Sequence, residues 1–252
     1  MKIIELPALK DIPFDAEKLK VRYHEPFARI LPTVSYLLVG KEQGSILVNA
    51  SVRMDDLLPL LKKEGYNIRY VFFTDGRFNH LYYAGELAKT IKVPFFLHTG
   101  EQRFLSDYLE EAWNSLGVRL PSLYTGGYMA YDEGSLFVLD DLAIEVFHTP
   151  GACSGAVTLA VRDKSGRQIL FTGGLLGHQT VGDPGNIGGS SGLLLASLKR
   201  LRDLPGDWEI YPSHCGKTSL SHEKETNLAT LPRVRIAEFV TMDPAWIPHK
   251  QG

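Results

Sequence analysis

The stretch Tyr70-Val71-Phe72-Phe73-Thr74-Asp75-Gly76-Arg77-Phe78-Asn79-His80 passes from an unbroken apolar run to a dense polar one. Its first five residues read as a strand covered on both faces, because a strand wetted on one side alternates and this one does not. The polar residues after it are of the kind that gathers in loops outside strand ends, where α/β proteins place ligands and catalytic groups. Three more segments have the same form: His148-Thr149-Pro150-Gly151-Ala152-Cys153, Phe171-Thr172-Gly173-Gly174-Leu175-Leu176 and Tyr211-Pro212-Ser213-His214-Cys215-Gly216.

Outward from these segments, short β-rich runs alternate with helical patterns, which predicts a layered α/β protein. Strands are expected at 35–39 and 45–49 around a turn at 40–44, then at 70–74, 95–98, 143–148, 156–161, 168–172 and 208–211. Helices are expected at 55–64, closed by Gly65, at 81–90, at 101–116, closed by Gly117, at 193–204, and at 221–231 with Ser221 as its cap. The glycine-rich run 182–192 (GDPGNIGGSSG) lacks the Gly-Lys-Ser/Thr ending of a phosphate-binding loop and reads as a connection. The expected organisation is a single domain over 1–252, with similar halves at about 25–130 and 131–232 and a tail at 233–252.

Composition narrows the function classes. Across 252 residues, 27 Lys+Arg balance 29 Asp+Glu for a net charge of −2, and no basic run offers a nucleic acid its phosphate contacts. No apolar stretch approaches the ~18 residues of a membrane span. The N-terminal MKIIELPALKDIPFD lacks the apolar core of a signal peptide, so the cytoplasm is the expected compartment. The two cysteines, Cys153 and Cys215, cannot make a multi-thiolate zinc site, so a metal would depend on carboxylates and on the eight histidines: His24, His80, His98, His148, His178, His214, His222 and His249. His98 and His148 read as structural, and Tyr82, Tyr83, Tyr124, Tyr128 and Tyr131 as wall or core.

The four segments, in this order and spacing, resemble the metallo-β-lactamase superfamily, in its branch of glyoxalase II-like thioester hydrolases and persulfide dioxygenases. The likeness runs from Ser35 to Asn227 and includes the opening hairpin, the Thr149-Pro150-Gly151 turn, Leu170-Phe171-Thr172-Gly173, and His214 through Glu223-Lys224-Glu225-Thr226-Asn227. It implies an αββα sandwich of two mixed sheets flanked by helices, with the site at one edge. It also implies a dinuclear metal centre, and here the pattern departs from the family. Against Thr-His-x-His-x-Asp-His this chain has Thr74-Asp75-Gly76-Arg77-Phe78-Asn79-His80, so that only His80 survives of the four ligands. The ligand after Thr-Pro-Gly is Ala152, the bridging aspartate is Gly174, and the aspartate closing the opening hairpin is Asn49; the last histidine is kept as His214.

The subsite left with Asp75, Arg77 and Ala152 should not hold a cation, since a guanidinium stays protonated. The other retains His80 and His214, two imidazoles where catalytic zinc has three protein ligands. No cofactor is expected, and a single weakly held divalent ion on His80 and His214 stays open. Arg77, Asp75, His80 and His214 are therefore the candidate catalytic group, with Arg77 supplying positive charge and a histidine acting as base. Asn79, Cys153, Cys215 and His178 are candidates for contacting substrate. The competing reading is that Asp75 and Arg77 form an internal ion pair filling the vacated site. Three functions remain open: a metal-independent hydrolase of a small acyl or thioester-type substrate, a non-catalytic module binding a small anion or a partner subunit, and a hydrolase with one weak metal. The expected partner is a small molecule, anionic or carbonyl-containing, rather than nucleic acid or membrane; a homo-oligomer is compatible.

Overall fold

A computed structural model describes residues 1–9, 33–122 and 124–228. The proposed tail, His24, His249 and the end of the last predicted helix lie outside the described residues.

The first sheet contains β1 (Lys2–Glu5), β2 (Tyr36–Val39), β3 (Gly44–Val48), β4 (Asn67–Phe72), β5 (Phe95–His98) and β6 (Met129–Tyr131), in that spatial order. Strands β1 to β3 pair antiparallel and β3 to β6 parallel. The second contains β7 (Leu136–Leu139), β8 (Leu142–His148), β9 (Val157–Asp163) and β10 (Gln168–Gly173), then, after the small hairpin β11 (Leu176–Gly177) and β12 (Thr180–Val181), β13 (Glu209–Pro212) and β14 (Thr218–Ser219). Its order is β14-β13-β10-β9-β8-β7, with only β10 and β13 parallel.

Side-chain alternation builds the layers. Leu38 and Leu37 are neighbours in β2 and both buried, yet they belong to different cores. Leu38 joins Tyr36, Ile46, Val48 and Phe72 against Ile144, Val146, Leu159 and Phe171 between the two sheets. Leu37 faces outward with Leu47, Val71 and Phe73 onto α1 (Met54–Glu64) and, past α2 (Phe78–Leu81), onto α3 (Ala84–Thr90), through Leu57, Leu81 and Leu87. On the far side, Ala160, Leu170 and Ile210 pack under helices anchored by Leu194, Leu198, Leu201 and Leu220. Strands buried on both faces read as continuous apolar runs for this reason.

Four predicted helices are corrected. The run at 101–116 is two helices, α4 (Thr99–Gln102) and α5 (Leu105–Leu116), parted at Arg103 and Phe104; Glu101 within α4 turns inward, where its carboxylate accepts hydrogen bonds from the Gly76 and Gly155 amides at 2.8 and 2.7 Å. The run at 81–90 divides at Tyr82 and Tyr83, the latter donating its N–H to the Ala50 carbonyl. The predicted helix at 193–204 is α6 (Ser191–Arg202), and the last is α7 (Leu220–Glu225); its cap is Ser219, whose hydroxyl accepts the His222 N–H, rather than Ser221.

Candidate functional site

The four segments picked out in the sequence meet at one edge of the sandwich. Thr74 carries the chain out of β4, and its carbonyl accepts from the Val157 amide of the second sheet at 2.8 Å, tying the sheets together. Asn49 links three segments. Its Oδ1 accepts from the Thr74 amide at 3.0 Å and its Nδ2 donates to Ser213 Oγ at 2.9 Å. An amide suits these partners, since it donates and accepts at once where a carboxylate only accepts.

Within the loop, Asp75 is the hub. Its Oδ2 accepts from Arg77 Nη2 at 2.7 Å, and its Oδ1 from Arg77 Nε at 3.2 Å, from the Arg77 amide at 3.1 Å and from His80 Nδ1 at 2.7 Å. Burial alone pushes the Asp75 carboxyl up, but Arg77 and His80 overturn this and hold it well below the usual carboxylate range. The same pairing raises Arg77 above its ordinary value despite burial. Asp75 and His80 side chains are 2% and 0% exposed, whereas Arg77 keeps 19%. Arg77 is thus the member of the trio nearest to solvent.

Around the trio, His80 stacks on His214 at 5.7 Å between ring centroids, and Asn79 bridges Thr33 Oγ1 at 2.9 Å and His214 Nε2 at 3.4 Å. Cys153 is fully buried, and burial pushes its thiol up, with Arg77 opposing. Cys215 is exposed, with a positive φ of 67°, and lines with His214, Tyr36, Pro212 and Lys217 a groove of about 510 Å³. His178 stands apart from the trio, in the turn of the β11–β12 hairpin against Glu223 and His222. Glu101 was missed by sequence reasoning. It is a fully buried carboxyl, raised by burial and then by Asp75, and it lies with Cys153 and Asp75 in one cluster. No local pattern marks it, because its amide partners come from two distant loops.

The residues present do not fit a dinuclear metal centre. A Cβ on Gly174, where the family has its bridging aspartate, would lie 2.3 Å from Arg77 Nη2. The guanidinium therefore fills the space of the missing carboxylate. Positive charge stands where a metal pair would need ligands, and it is neutralised bidentately by Asp75.

The closing signature has a structural meaning. Glu223 accepts from the Gln179 amide at 3.2 Å and Thr218 Oγ1 at 2.7 Å, and Asn227 Nδ2 donates to the Thr180 carbonyl at 3.1 Å, so the segment clamps the β11–β12 hairpin. His98 and His148 border the Thr-Pro-Gly turn, stacked at 4.2 Å. His98 Nδ1 accepts the Gly100 amide, and His148 Nε2 bonds the Ser154 carbonyl. Both rings are engaged with backbone groups of their own loops. Burial, then His148, lowers His98 to about 4, against opposing pulls from Asp132 and Glu133. A histidine with a depressed folded pKa charges less readily than in the unfolded chain, so its contribution is full above pH ~6.5 and is lost as pH falls toward about 4. Urea midpoints measured between these pH values should decline less steeply in His98→Asn, whose Oδ1 can still accept the Gly100 amide.

Comparison with known proteins agrees with this architecture. The profile of the metallo-beta-lactamase superfamily matches residues 28–214. The hydroxyacylglutathione hydrolase GloC of Haemophilus influenzae is 22% identical over 204 residues, covering 79% of this chain and 95% of its own. The solved structure of TTHA1623 in a di-iron-bound form is 28% identical with a TM-score of 0.67, covering 79% and 95% of the two chains. ETHE1 from Myxococcus xanthus is 19% identical with a TM-score of 0.68, covering 98% and 92%. Among the described residues, no helix is long and apolar enough to cross a membrane. With the profile covering most of its length, the chain belongs to the metallo-beta-lactamase superfamily.

Proposed function

We propose that this chain is a hydrolase of small acyl or thioester-type substrates that works without the metal pair. One observation carries the reading. His80 donates from Nδ1 to Asp75 at 2.7 Å, while its Nε2 is buried with no hydrogen-bond partner among the described residues. A buried orphan nitrogen costs about 1–3 kcal/mol, and nearly all buried polar atoms avoid that state. A water or substrate atom belongs at Nε2, and a carboxylate-oriented imidazole is built to take its proton.

In this reading, Arg77 turns its exposed edge toward the carbonyl oxygen and stabilises the negative charge that develops there. His80 removes a proton from water. The water oxygen bonds to the carbonyl carbon, the carbon–sulfur or carbon–oxygen bond breaks, and His80 returns the proton to the leaving group. His214 and Asn79 flank the base, and Cys215 borders the groove beside it. The likeness to GloC supports hydroxyacylglutathione as the first substrate to try. The bidentate Asp75–Arg77 pair favours a second reading, binding of a small anion without turnover, because it already occupies much of the guanidinium.

Activity on S-acylglutathiones and aryl esters, assayed with excess chelator, decides between them. Turnover should survive the chelator and fall about 100-fold or more in His80→Gln, with the melting temperature recorded to verify folding. Turnover insensitive to His80→Gln, or lost with the chelator, overturns the mechanism. Saturable ligand binding with no product puts the second reading in its place.

A further inference from the structure

A second cluster of ligand-type side chains lies outside the candidate site, where the β11–β12 turn meets α7. His178 Nδ1 is 3.8 Å from Glu223 Oε1, and its ring stacks on His222 with centroids 5.3 Å apart and planes 19° apart. One ligand atom from each of His178, His222 and Glu223 lies within 4.8 Å of the other two. Glu223 is fully buried and held in place by the Gln179 amide and Thr218 Oγ1, the outer hydrogen bonding that orients metal-binding carboxylates. His222 Nε2 is buried with no hydrogen-bond partner among the described residues. His222 thus brings an unpartnered ring nitrogen to a cluster that holds a buried carboxylate and a second imidazole.

We propose that His178, His222 and Glu223 bind a divalent transition ion of the zinc type. Two imidazoles and one carboxylate make a three-ligand set that leaves a fourth position to water. This donor set disfavours magnesium and calcium, which take oxygen ligands. Zinc bonds of about 2.0–2.2 Å in tetrahedral geometry set ligand atoms roughly 3.3 Å apart. The 3.8 Å separation closes to that by a small rotation of His178, which is exposed in its turn.

The ion ties the hairpin to α7. A Cβ on Gly177 of the hairpin would meet the His214 carbonyl oxygen at 3.0 Å and Cys215 Cβ at 3.3 Å, so the hairpin packs against the loop that carries His214. The metal is thus a clip on one wall of the candidate site, and the inference does not depend on the hydrolase reading.

The test adds zinc alone to the full-length protein after chelation and dialysis, with binding followed by calorimetry and elemental analysis. The expected result is one zinc per chain and a raised melting temperature. His178→Ala and His222→Gln should each weaken binding on the order of tenfold or more, while His80→Ala and His214→Ala leave it unchanged. His178 is exposed, so its variant should melt like the parent without zinc and report on the metal alone. No bound zinc at several-fold molar excess, or zinc binding that follows His80 and His214 instead, overturns the proposal.

Discussion

Arg77→Ala should destabilise the protein by about 3–5 kcal/mol, the usual cost of removing one partner from a buried ion pair. The deletion leaves the Asp75 carboxylate, 2% exposed, with His80 and one backbone amide as its partners among the described residues. It also opens a space against Gly174, which has no side chain to relax into it. The diagnostic measurement is a double-mutant cycle by urea unfolding. Asp75→Asn in the Arg77→Met background should recover more than half of the loss from Arg77→Met alone, since the charge that lacked a partner is gone. Losses that simply add would mean that the two side chains are not coupled. The result bears on function as well, because the proposed metal-free mechanism relies on this pair to hold Asp75 and Arg77 in place.

Gly151→Ala is the second large effect expected. Gly151 ends the Thr-Pro-Gly turn at φ 140°, and an added Cβ would lie 2.2 Å from Leu194 Cα and 2.3 Å from Leu194 N. Those are backbone atoms of α6 and cannot rotate away. The helix is fixed there from both directions, by the Ser190 amide donating to the Gly151 carbonyl at 2.8 Å and by the Ser190 side-chain cap. Backbone strain and overpacking together set the cost at roughly 2–6 kcal/mol. Gly65→Ala is the control. Gly65 also has a positive φ, 70°, but an added Cβ there would have nothing within 4 Å, so the cost should be about 1 kcal/mol. Equal losses at the two glycines in thermal melts would show that conformation alone, and not the contact with α6, requires Gly151.

Much of this was legible in the chain. Continuous apolar runs such as Tyr70 to Thr74 announce strands buried on both faces, and Leu37 beside Leu38 supplies both outer and inner cores. The resemblance likewise implies replacements at Asp75, Arg77, Asn79, Ala152 and Gly174, because each sits at a fixed offset from a turn or strand end. Local signals failed where a distant group decided the outcome. Glu101 is buried within α4 because two amides from other loops bond its carboxylate, and Ser221, whose amide and hydroxyl both donate to Asp207, leaves the cap of α7 to Ser219.

The candidate site divides in the same way. The resemblance read from the sequence implies that ligand positions carry other residues and that a permanent cation, Arg77, stands among them, since such a comparison needs only residue identity and offset. Only the tertiary structure decided what Arg77 does. Its guanidinium folds back onto Asp75 and into the space before Gly174, and His80 Nε2 has no hydrogen-bond partner among the described residues. The reason is physical: the direction of a long side chain depends on the desolvated charges and the empty volume around it, and here these come from segments about a hundred residues apart.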